Sequence, residues 1–151
     1  MEKFSVVASL AIAACLLLAQ FIRIPRANPP SKGDLMAPLE IKALLRRACY
    51  DCHSNETRWP WYTDIAPVSW VIAREVERGR KQLNFSEWRS YYPATQRRKL
   101  LWINRTLHED TMPPWTYRLL HPGAGLMQQE LVELQQWIEA EIANQSEKTS
   151  K

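Results

Sequence analysis

Residues 48–62 read ACYDCHSNETRWPWY. Two cysteines separated by two residues, with a histidine directly after the second, constrain the backbone more than any other stretch of the chain. Residues three apart share a side only where the segment makes a helical turn. Cys49 and Cys52 therefore present both thiols together if this stretch is helical, and His53 follows at once. The composition agrees with a helical frame. The 151 residues include only 4 glycines but 10 prolines, and Leu, Ala, Arg, Glu and Gln dominate the periodic stretches. That pattern belongs to helices joined by Pro-stiffened loops rather than to a sheet. The length leaves room for one ordinary core and not two, so one all-α domain is expected.

Periodicity places the helices. Pro38 suits a first helical position, and Ile41, Leu44, Leu45 and Ala48 make one buried stripe leading into Cys49. A second helix starts after Pro67, with Val68, Val71, Ile72 and Val76 on its apolar face and an end near Gly79. Asn84 with Glu87 three residues on has the form of a capping box for a short helix through Trp88. A fourth helix from about Ala94 buries Leu100, Ile103 and Leu107 and exposes Arg97, Arg98 and Lys99. The last runs from about Met127 to Ile142, with Met127, Leu131, Leu134, Ile138 and Ile142 as its stripe and Trp137 beside it. The first and last of these are amphipathic enough to pack on one another.

Cys49, Cys52 and His53 have the C-x-x-C-H spacing of c-type haem attachment. Each thiol can add across a haem vinyl group, and the imidazole can then ligate the iron. Two rivals use the same residues. A zinc site needs further ligands, and no second C-x-x-C or H-x-x-x-H supplies them. A redox dithiol of the thioredoxin type needs a βαβ context that the helical pattern does not provide. For a sixth iron ligand, Met112 in HEDTMPPWTY is favoured, because two following prolines hold it out of the helical region and stiffen its loop. His108, His121 and Met127 compete with it. Trp59, Trp61 and Tyr62 are candidates for apolar walls with N–H or O–H groups at one edge, and Arg58 is a candidate for the propionates. The N-x-S/T tripeptides at Asn55, Asn84 and Asn104 carry no reading of their own.

Phe4 to Ile22 is uncharged and about long enough to cross a bilayer, so residues 1–23 are expected to be a membrane anchor or signal segment. An uncleaved anchor is preferred, since no A-x-A site closes the run; lipidation at Cys15 is a third option. Residues 24–33, IPRANPPSKG, read as an extended Pro-rich tether. The soluble domain then covers 34–143, and 144–151 is a frayed polar tail. The net charge of +4 is dispersed among acidic residues, which fits a solvated helical surface and no nucleic-acid partner. Lys3 before the apolar run and Arg23, Arg26 and Lys32 after it would keep the domain in the cytoplasm by the positive-inside rule. Attachment of c-type haem outside the membrane argues the reverse, and is given more weight.

Taken together, CYDCHSNETRWPWY, IAPVSW, GRKQLNFSEW, HEDTMPPW and the later HP resemble the motifs of small bacterial haem-binding domain proteins, relatives of cytochrome c, from about Ala43 to Trp137. The resemblance implies one covalently bound haem attached at Cys49, Cys52 and His53. The family's M-P-P motif falls on Met112 and its preceding His on His108. One departure is GLMQQE at the start of the last helix, where relatives have a Ser or Thr cap. The expectation is a cytochrome c-like helical domain at the bacterial inner membrane, with the haem on the periplasmic side. It would pass single electrons to redox partner proteins. The alternative is a haem peroxidase or small-ligand sensor with a displaceable distal ligand.

Overall fold

Apolar residues at helical spacing fold here as the periodicity demands. The computed structural model describes residues 2–149, and among them every regular element is helical and no strand occurs. Helix α1 spans Glu2–Ala19, α2 Leu39–Ala48, α3 Tyr50–His53, α4 Val68–Gln82, α5 Pro93–His108, α6 Trp115–Leu120 and α7 Gln128–Thr149. Short 3-10 turns at Trp61–Asp64, Phe85–Ser90 and Pro122–Ala124 fill the connections.

The core lies where α2, α5 and α7 meet. Ile41, Leu44 and Leu45 of α2 face Leu100, Ile103 and Leu107 of α5 and the fully buried Leu134 and Ile138 of α7, with Phe85 and Trp88 closing one end. Each such aliphatic side chain contributes roughly 1.5–3 kcal/mol by leaving water. α2 and α7 do pack on one another, as their stripes implied. Met127 is the exception in its stripe, lying outside the helix and 66% exposed.

Several boundaries move. The helix after Pro67 does not stop at Gly79 but continues to Gln82. Its buried face is Ala73 and Val76, while Val68 and Val71 are exposed. The turn after Asn84 is 3-10, and its cap is one-sided: the Asn84 side chain accepts from Ser86 N, while Asn84 N donates to the Tyr91 hydroxyl rather than to Glu87. Helix α7 carries through residues 144–149, which were expected to fray; Ser150 and Lys151 lie outside the described residues.

The transmembrane reading of the N-terminal run needs correction. Among the described residues no helix is long and apolar enough to cross a membrane. Helix α1 stops at Ala19 after 18 residues, about 27 Å of rise against roughly 30 Å of hydrocarbon. Its end is fixed by the domain: the Gln20 side chain accepts from Ala66 N at 3.0 Å and donates to Ala66 O at 3.1 Å.

Residues 24–33 are extended, and they lie hydrogen-bonded along the body. Arg26 reaches Thr63 and Asp64, Asn28 donates to Thr57 O, and Lys32 N donates to Ser86 O. From the other side, Trp70 Nε1 donates to Ile22 O, and Arg80 reaches Ala27 O and Asn28 Oδ1.

Candidate functional site

Cys49 ends α2 and Cys52 lies in the single turn of α3, so the two thiols stand three residues apart on one helical turn. Both are free and half-buried. Burial, reinforced by the neighbouring Cys52, pushes the Cys49 thiol up to about 12. Burial, then the nearby carboxylates of Asp51 and Glu75, pushes Cys52 up to about 11. Both are therefore neutral thiols at physiological pH. A reactive Cys-x-x-Cys dithiol has the opposite shift. Among the described residues no three His, Cys, Asp or Glu converge as a metal cage.

His53 is 7% exposed, and its ring is oriented from behind by α4. Nδ1 donates to Gly79 O at 3.0 Å and Leu83 O at 3.2 Å, and Nε2 has no hydrogen bond to a described residue. Burial lowers the affinity of the ring for a second proton, outweighing the two carbonyl acceptors. The imidazole is held neutral with its proton on Nδ1 and its lone pair on Nε2, the state a metal ligand needs. Trp102 meets the ring edge-on, 5.8 Å between centroids. Gly79 lets α4 come this close.

The aromatic stretch behind the turn divides. Trp59 is half-buried with an indole N–H that is buried and unpaired, while Trp61 is 75% exposed. Arg58 directs its guanidinium to Asp51, at 3.2 Å through Nε and 3.3 Å through Nη2. Tyr62 is half-buried and donates to His121 Nε2 at 3.1 Å. A groove of about 1260 Å³ runs along α4 and the extended N-terminal segment, bordered by Trp59, Trp70 and Tyr91. Cys49, Cys52 and His53 do not line it.

Met112 is half-buried in the loop between α5 and α6, ahead of the buried Pro113. Its competitors are differently placed. His108 is exposed at the end of α5 and Met127 is exposed. His121 is engaged at both nitrogens, Nδ1 donating to Tyr117 O at 3.0 Å and Nε2 accepting from Tyr62.

Sequence reasoning missed Asp51, Tyr117, Trp102 and the real use of Gly79. Asp51 left a signal, since a buried carboxylate in the attachment turn needs donors, and Arg58 and Tyr117 supply them; Gly79 left one that was read as a helix end.

The residues present fit haem. Two neutral thiols share one turn, and an imidazole directly after them is held by one nitrogen with the other available. No curated protein and no solved structure matches the chain. The family model of the haem-binding domain matches residues 14–140, from α1 well into α7. With most of its length so matched and a site of this chemistry, the chain belongs to the haem-binding domain family.

Proposed function

We propose that the chain is a c-type cytochrome with a cytochrome c-like domain, carrying one covalent haem on Cys49 and Cys52 and moving single electrons between redox partner proteins. The observation that supports this most is the His53 ring, tied through Nδ1 to Gly79 and Leu83 and presenting Nε2 beside two neutral thiols. Each cysteine S–H adds across a vinyl double bond, sulfur joining one carbon and hydrogen the other, so attachment itself oxidises and reduces nothing. His53 Nε2 and Met112 are the side chains that would hold the iron. When bound, the haem supplies a one-electron ferric/ferrous couple, and a thioether ligand favours the ferrous side.

Electron transfer is preferred to peroxide turnover because neither remaining histidine is held as a buried, unbonded base. His121 is bonded at both nitrogens, and His108 is exposed at the end of α5. Trp59, Tyr62 and Arg58 are assigned to the haem surroundings, and Trp61 to their exposed rim. The domain is placed outside the cytoplasmic membrane of a bacterium, where c-type haem is attached. The exposed apolar side chains of α1, from Phe4 to Leu18, are assigned to membrane association.

The test is a denaturing gel stained for haem peroxidase activity, run on cells with a working haem-attachment system. The stained band should sit in the membrane or periplasmic fraction, with one haem per chain by pyridine haemochrome, and should vanish in Cys49→Ala/Cys52→Ala. A band that survives the double substitution would overturn covalent attachment.

A further inference from the structure

Asp51 is the second of the two residues between the cysteines, with its side chain only 9% exposed. Three of its contacts are local. Oδ1 accepts from Arg58 N at 3.1 Å and Arg58 Nε at 3.2 Å, and Oδ2 accepts from Arg58 Nη2 at 3.3 Å. The fourth is not local: the Tyr117 hydroxyl, 66 residues along the chain, donates to Oδ2 at 2.7 Å. A carboxylate that needed only to close its own turn would have no use for this bond.

Tyr117 lies on α6, which begins three residues after Met112. The other end of the Met112 loop is fixed on α5, where the Thr111 backbone N–H and hydroxyl both reach Thr106 O, at 3.1 and 3.2 Å. Arg118 closes the loop onto Asp110 at 2.9 Å. Behind Tyr117, the His121 ring stacks at 4.1 Å between centroids and is held in turn by Tyr62. One end of the loop therefore rests on α5, and the other on the turn that carries Cys49, Cys52 and His53.

We infer that Asp51 and Tyr117 are positioning residues that hold the Met112 loop against the attachment turn. Neither touches the iron in this scheme; they act through the loop. The inference rests on the reading of Met112 as distal ligand. A thioether is a weak ligand, so its residence on the iron depends on how firmly its loop is held, and a charge-assisted hydrogen bond is the strong kind.

The experiment uses the haem-loaded protein and two readouts: the weak near-infrared band of methionine bound to ferric haem, and the rate at which carbon monoxide binds the ferrous form. Tyr117→Phe and Asp51→Asn should each weaken the band and speed carbon monoxide binding about tenfold, and the double variant should be no faster than the faster single one. The covalent haem should remain in all three. If Asp51→Asn fails to take up haem, Tyr117→Phe, which leaves the turn intact, decides alone. An unchanged band and rate in Tyr117→Phe, or a roughly hundredfold effect in the double variant, would overturn the inference while leaving Met112 as the ligand. A wild-type protein with no such band would overturn the Met112 reading itself, and the inference with it.

Discussion

A Cβ on Gly79 would lie 2.5 Å from the carbonyl oxygen of Cys52, closer than any packed structure allows. Because the obstacle is backbone, it cannot rotate away as a side chain would. The same residue lends its own carbonyl to His53 Nδ1. Gly79→Ala should therefore push α4 off the attachment turn and loosen the histidine together, at about 1–3 kcal/mol, the usual range for overpacking. Thermal unfolding of the haem-loaded protein should show the loss, and redox titration should show a shifted potential; wild-type values in both would contradict the close-approach argument. In the sequence, Gly79 looked like the end of a helix. That was the wrong reading of a real signal, because a glycine inside a helix marks either a stop or a near neighbour, and only the fold says which. The helical turn that gathers Cys49, Cys52 and His53 was legible because residues at that spacing share a side only on such a turn. Tyr117 was not, since its partner lies 66 residues away.

At the level of elements, helix existence was readable and helix faces less so. α2, α5 and α7 turn the residues their periodicity named toward the core, Met127 apart, because each has one apolar stripe and one core to meet. α4 approaches the turn through Gly79 and buries Ala73 and Val76, while its Val68 and Val71 face outward. The uncapped start of α7 has a physical answer as well. Met127 N donates to the Glu130 carboxylate at 2.8 Å, the N3-to-N-cap half of a capping box without its Ser or Thr half, and Arg47 of α2 donates to the same carboxylate at 2.6 Å. The Arg47 bond, then the Met127 bond, holds the Glu130 pKa below its ordinary value of 4.5. The folded chain thus gives up this proton more readily than the unfolded one. The contribution is present in full above the ordinary glutamate range and is lost as pH falls through the lowered value. Glu130→Gln should lower the melting temperature by a few degrees at pH 7 and by clearly less at pH 3, in thermal scans of both proteins. An equal loss at both pH values would show that the carboxylate charge is not what matters.

On the scale of the whole molecule, the N-terminal segment is part of the domain. Composition alone made residues 24–33 a tether, because prolines and the lack of periodicity say extended and say nothing about what an extended chain lies against. Arg80 is the main fastener, with four acceptors: Ser54 O at 2.8 Å, Ala27 O at 2.7 Å, Asn28 Oδ1 at 2.8 Å and Thr57 Oγ1 at 2.9 Å. Arg80→Ala should cost on the order of 2 kcal/mol and free the segment, so that trypsin cuts after Arg23 or Arg26 several times faster than in the wild type. Equal cleavage rates would mean that the segment is held by something other than Arg80. The burial of the two thiols has a consequence in time. Once α4 has closed on the attachment turn, Cys49 and Cys52 are half-buried, and burial holds both thiols protonated. If they carry haem covalently, the order of events in the cell is set: the chain must meet its haem while still open, and folding then seals a bond already made.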